Sequence, residues 1–275
     1  MRPERANIAA PELPDRVPWL NVTRRPRIAD ALGAGPALVH FFDFAQLNSV
    51  RTLPYVLAWR ARYAAAGLTV LGIHSPRFPF TADRRKLAAA LARLGVQHPV
   101  AVDSDYAIWH DYGCRGWPAL FLWSAEGALR WVHFGEGAYR ETEEAIQVEL
   151  REVEPLRELP MPLDPLRPSD APDARVLAPS EELFPGGAPS QPWASRDEPL
   201  RVEYEGAGAY AAVDGSGELR LALDEGAETV IPVDASGLYE LAEHLRHERH
   251  RLELAAGTGV EVYALSFAAG VPAQG

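Results

Sequence analysis

A single cysteine, Cys114, stands in 275 residues. A lone thiol excludes an intrachain disulfide. It also excludes a one-chain dithiol cycle, which needs a second thiol to resolve the mixed disulfide. Positive charge is scarce too: 27 Lys and Arg against 38 Asp and Glu leave a net charge of −11. Such a chain repels a phosphate backbone, so nucleic acid is not an expected partner. Arg24, Arg25 and Arg27 form one tight basic group near the start and read as solvated surface. No apolar run reaches the roughly 18 residues that span a bilayer. Met1 to Asn7 is polar and carries no apolar secretion-signal stretch, so the expected location is cytoplasmic. Gly135-Glu136-Gly137 lacks the lysine and hydroxyl of a phosphate loop and reads as a turn, so no cofactor is expected.

What is present is an ordinary globular composition, with 47 % hydrophobic and 24 % charged residues. Residues 1–18 are proline-bearing and aperiodic, and read as an N-terminal arm. Over 19–150 short apolar runs alternate with helical stretches. Ala37–Phe42, Leu68–His74 and Val100–Asp103 read as buried strands. Arg51–Ala66, Ala82–Leu94 and Glu141–Leu150 read as helices, the first two stopped by Gly67 and Gly95. Ala119–Trp123 and Leu129–Phe134 flank Ala125-Glu126-Gly127 as a hairpin. That order implies an α/β domain with parallel strands covered by helices. Residues 151–192 hold ten prolines, from Pro155 to Pro192, and read as an extended linker. From 193 to 275 short alternating segments, Leu200–Tyr204, Glu218–Leu223, His250–Leu254 and Gly259–Phe267, suggest a small all-β sandwich.

Two stretches carry a family resemblance. Tyr112–Ala119, with Trp117-Pro118 inside it, resembles the loop of thioredoxins that carries their cis-proline. Phe41–Tyr55 is similar, without gaps, to the active-site segment of DipZ-type thiol–disulfide interchange proteins of the TlpA-like group. Gly72–Phe80, Asp103–Tyr106 and His133–Glu143 extend the match. Leu238–Leu241 and Gly259–Phe267 resemble the carbohydrate-binding-module-like sandwich that follows in the same family. The resemblance implies a thioredoxin-like domain and a Cys-x-x-Cys pair at a helix start. Gln46 stands where the attacking cysteine belongs, and Ser49 where the resolving cysteine belongs. It also implies that Pro54 lies inside the following helix and bends it.

These substitutions decide the chemistry. An amide cannot ionise, and a hydroxyl is far too weak an acid to replace a thiolate. Gln46-Leu47-Asn48-Ser49 is therefore either a site converted from exchange to binding, with Gln46, Asn48, Trp117 and Pro118 as its candidate residues, or a relic helix start in which Asn48 or Ser49 caps free donors. Binding an extended peptide or protein partner at the cis-proline loop needs main-chain groups and no cysteine. The alternative is a one-cysteine oxidoreductase using Cys114 with an external thiol. Cys114 also reads as a small apolar residue at a strand edge. His244, His247 and His250 invite a metal reading. On a helix their rings would fan apart, so they read as a solvated turn before a strand, and no metal is expected.

Overall fold

The apolar runs of the N-terminal half are too short for helices and become strands. In the computed structural model the described residues are 8–33, 35–194 and 198–273; the first seven residues of the expected arm lie outside them. The chain divides into two compact units. The first takes the chain up to Asp43, Asn48–Pro76 and Leu91–Asp164; the second takes Phe44–Leu47, Arg77–Ala90 and the chain from Pro165 on.

The first unit is built on a six-stranded sheet. Its strands are β1 (Trp19–Leu20), β2 (Ala37–Phe42), β3 (Thr69–His74), β4 (Val100–Val102), β5 (Ala119–Trp123) and β6 (Leu129–Phe134). The sheet order is β1-β4-β3-β2-β5-β6. β2, β3 and β4 run parallel, with Ala37 opposite Thr69 and Phe42 opposite His74, while β5 and β6 return antiparallel. Every residue of β2 is buried, as a central strand covered on both faces requires. Its side chains alternate between two cores. Val39 and Phe41 join Leu71, Ile73, Trp109 and Phe121. Leu38 joins Val56, Trp59, Val70, Leu120 and Ile146.

The helices are α1 (Ile28–Leu32), α2 (Leu47–Tyr63), α3 (Arg84–Arg93), α4 (Ala107–Asp111) and α5 (Tyr139–Val153). α2 begins four residues before the Arg51 expected from apolar spacing, because Asn48 and Ser49 are polar yet sit in its first turn. Pro54 lies inside it. α4 was not expected. It has only five residues, too few for a periodicity to show, and it is held by Asp103, which accepts from the N–H groups of Ile108 and Trp109.

The second unit has an antiparallel sheet of β7 (Leu200–Gly215), β8 (Gly217–Leu223), β9 (Thr229–Val233), β10 (Gly237–Ala256) and β11 (Val260–Phe267), in the order β11-β7-β10-β8-β9. β7 and β10 are long enough to serve two layers. The first half of β7 and the second half of β10 pair near β8; the other halves pair beside β11. The β7–β10 register breaks between Glu243 and Glu248, where the ladder bends. Leu219, Leu221, Leu252 and Leu254 from one layer then share a core with Val213, Val260, Val262 and Leu265 from the other. The expected turn at His244, His247 and His250 is corrected here, since all three lie within β10. Alternation hid this strand because the register break shifts the inward side chains.

The proline-rich stretch is tied down at both ends. In the first unit Leu159 and Leu163 pack on the core of α2 and α5. In the second unit Leu177, Leu183 and Trp193 make antiparallel bridges to Gly270, Leu265 and Val262. Among the described residues no helix is long and apolar enough to cross a membrane.

Candidate functional site

The end of β2 leads into Asp43, and the chain turns there to start α2. Asp43 N–H donates to Ser49 Oγ at 3.2 Å, and both residues are fully buried. Ser49 therefore closes the turn from inside the helix's first turn. Thr52 Oγ–H donates to the Asn48 carbonyl at 2.8 Å, a back-bond along the same helix. Asn48 is half-buried. Gln46 is 8 % exposed and Leu47 2 % exposed. Both belong to the second unit, where Leu47 packs with Tyr210, Leu238 and Ala268.

Beside Asp43, His74 ends β3 with Nε2 3.8 Å from Asp43 Oδ2. Burial holds the His74 imidazole below its usual range, and the Asp43 carboxylate works against that shift. The next residue, Ser75, donates to Asp103 Oδ2 at 3.1 Å. Burial raises the Asp103 carboxyl above the usual carboxylate range, opposed by the N–H groups of Ile108 and Trp109 and the Ser75 hydroxyl.

The loop before β5 brings Trp117 to the same place. The Trp117–Pro118 peptide is cis. The Trp117 indole N–H donates to the Ser75 carbonyl at 2.8 Å, and its ring lies 4.5 Å from that of Trp109. Tyr106 extends the aromatic group, 5.9 Å from Trp109, with its hydroxyl on the Pro76 carbonyl. Trp117 is half-buried and Pro118 is buried. The structure thus gathers Trp117, Ser75, Asp103, Trp109 and Tyr106. Sequence reading singled out only Trp117 from this group. Asp103 carried a signal, a carboxylate directly after a buried strand and before Tyr106-Ala107-Ile108, but nothing in its spacing marks burial.

Cys114 precedes β5 and is buried at 9 % exposure, its N–H bonded to the Trp109 carbonyl at 3.0 Å. Burial pushes its thiol well up, and the Asp103 carboxylate adds to the shift. A thiol so placed does not form the thiolate that attacks sulfur. No group of three or more His, Cys, Asp or Glu among the described residues is arranged to hold a metal ion.

On the opposite face of the first sheet a buried carboxylate organises α2 and α5. Glu143, 1 % exposed, accepts from Trp59 Nε1–H at 3.1 Å, from Tyr63 O–H at 2.6 Å and from Leu163 N–H at 2.8 Å. Gln147 Nε2 donates to Tyr63 Oη and to the Pro160 carbonyl, each at 2.8 Å. This is scaffold, and it latches 160–163 to the domain.

No protein-family model matches the chain. The protein DipZ of Mycobacterium tuberculosis (strain CDC 1551 / Oshkosh) is 33 % identical over 202 residues, 73 % of this chain and 27 % of DipZ. The thiol-disulfide oxidoreductase YkuV of Bacillus subtilis (strain 168) is 30 % identical over 146 residues, 52 % of this chain and 95 % of YkuV. A crystal structure of a thioredoxin-like superfamily protein is 26 % identical with a TM-score of 0.48, covering 55 % of this chain and 99 % of that one. The chain spans only about a quarter of the length of the DipZ it matches, 27 %.

Proposed function

Because the chain belongs to the family of thioredoxin-like thiol–disulfide oxidoreductases, we propose that it works by binding a peptide or protein partner at the family's old active-site region, and not by dithiol–disulfide exchange. The observation that carries this reading is the one buried thiol. Exchange needs an attacking thiolate and a resolving thiol. The chain supplies only Cys114, at 9 % exposure and with its pKa raised. Gln46 and Ser49 at the cysteine positions offer no substitute nucleophile.

Binding at this region uses what remains. Asn48 and Trp117 are half-buried and keep surface for a partner. The Trp117 ring is held in place by the Ser75 carbonyl and by Trp109, so stacking on it costs little ordering. An extended partner is recognised through main-chain groups of the 115–118 loop, as in strand addition. Gln46 and Pro118 are buried and offer little surface of their own to a partner.

The second reading, a one-cysteine oxidoreductase relying on Cys114 and an external thiol, is disfavoured by the same burial. The deciding assay is insulin reduction with dithiothreitol. The binding reading expects no catalysis above background. It also expects partner capture from native extract to fall when Trp117→Ala or Asn48→Ala is made in a protein whose circular dichroism is unchanged. Catalysis that disappears in Cys114→Ser would establish the second reading. Catalysis that survives Cys114→Ser, or capture indifferent to both surface variants, would sink the first.

A further inference from the structure

The second unit holds two imidazoles that the binding reading does not use. The rings of His244 and His250 stack with centroids 3.7 Å apart and planes 15° from parallel. Each is fixed from its outer side. His244 Nε2 shares a hydrogen bond with the Tyr204 hydroxyl at 2.8 Å. His250 Nδ1–H donates to Asp224 Oδ2 at 2.6 Å. Tyr204 is 1 % exposed and stacks on Phe267 with ring centroids 4.7 Å apart. Asp224 adopts a left-handed φ of 51°, uncommon for a residue with a side chain, and its position is kept by Arg251 N–H on Oδ1 at 2.8 Å.

The two rings differ in how the backbone holds them. His250 is the ladder partner of Tyr204 on β7. His244 belongs to the bulge, where residues 244–247 face Ala207 alone, because pairing stops at Glu243–Gly208 and resumes at Glu248–Gly206. One ring is anchored by the sheet; the other is carried on a segment outside the β7–β10 ladder.

The geometry opposes two protons on the pair at once. The carboxylates acting on the stack are Asp224, from the turn after β8, and Glu243 and Glu248 from β10, the last 3.7 Å from His250 Nε2, while Glu203 and Glu205 flank Tyr204 on β7 and are exposed. The basic groups are Arg249, paired with Glu205, and Arg251, paired with Glu203 and Glu225. β11 contributes Phe267, which is apolar. A carboxylate, Asp224, is bonded to the His250 ring, while the His244 ring meets the Tyr204 hydroxyl. A second proton on the pair would put two like charges 3.7 Å apart, one of them over a buried tyrosine. Burial, then the His250 ring, already hold His244 below its usual range.

We infer that the His244–His250 stack is an acid-operated latch: uptake of the second proton drives His244 off the stack and lets the 244–247 bulge of β10 swing away from Tyr204. The bulge carries Leu245 at 87 % exposure, and His247 N–H tethers its far end to the Val271 carbonyl at 2.8 Å. The movement is therefore local and changes how Leu245 and Arg246 are presented.

The test is a histidine-resolved NMR titration of the full chain, with amide exchange read at Leu245 and Arg246. In the wild type the pair should take up its two protons in separate steps, the second about tenfold weaker than the first. His250→Gln should raise the proton affinity of His244 about tenfold, since it removes the opposing charge. Exchange at Leu245 and Arg246, corrected for intrinsic rates, should be about tenfold faster at pH 5 than at pH 7 in the wild type and unchanged in the variant. Two protons taken up in one step in the wild type overturn the latch without any variant. So does a His244 midpoint indifferent to His250→Gln, or exchange that does not respond to pH.

Discussion

Mild acid should destabilise the first unit, and the share of the effect owed to one residue can be sized. His40 sits in the middle of β2 at 0 % exposure, stacked on Phe42 with centroids 5.1 Å apart. Neither of its ring nitrogens has a hydrogen-bond partner. Burial, then the nearby His98, lower its pKa to about 3. An unfolded histidine takes its proton near pH 6.5. Between those values the unfolded chain binds a proton that the folded chain refuses, so stability rises with pH and falls as acid is added. At pH 5 the folded ring is still neutral, and the cost is set by the unfolded value alone: about 1.5 pH units, or roughly 2 kcal/mol. Against a typical total of about 5–15 kcal/mol that is a large share.

The measurement is urea unfolding at pH 7.5 and pH 5. Tryptophan fluorescence suits it, because Trp19, Trp59, Trp109, Trp117, Trp123 and Trp131 all lie in the first unit. His40→Phe keeps an aromatic ring and loses no hydrogen bond. It should flatten the difference between the two pH values by about 2 kcal/mol, near 1 M in urea midpoint for a slope of about 2 kcal/mol/M. Asp103 acts in the opposite sense. Its raised pKa costs stability at neutral pH, and that cost fades as pH falls towards the unfolded carboxylate value. It is present in both proteins and cancels in the comparison. A His40→Phe variant with the wild-type pH dependence, within about 0.5 kcal/mol, would refute the reasoning.

Three further outcomes are expected. His98, also buried and lowered to about 4, should behave as His40 does, with His98→Phe removing a similar roughly 2 kcal/mol of acid sensitivity in the same unfolding assay. Glu143→Ala should cost roughly 2–4 kcal/mol by stranding the Trp59, Tyr63 and Leu163 donors, and should speed limited proteolysis between 155 and 163. Gln46→Cys with Ser49→Cys should give a pair that closes a reversible disulfide, followed by thiol titration; a folded double variant that cannot oxidise would mean that these positions do not match the family's cysteines.

The sequence alone determined the chemistry that is missing and the order of the central strands and longer helices of the first unit. One cysteine forbids a dithiol cycle in any fold, because that limit is stoichiometric and not geometric. Ala37–Phe42 and Ala119–Trp123 were legible as strands with their exact bounds, since a central strand buried on both faces is written as a mostly apolar run, broken in β2 only by His40. β9 was not legible, because Thr229–Val233 is an edge strand mostly exposed and interrupted by Pro232. β10 was not legible across its bulge, where the two-residue period fails. Partnerships at long range were decided only by tertiary structure. Asp103 meets Ser75 across two strand ends, Glu143 collects donors from α2 and from the proline-rich stretch, and His244 lies on His250 only because four bulged residues bring it back. Burial is a property of neighbours far along the chain, and it is burial that keeps Cys114 protonated, His40 neutral and Asp103 raised.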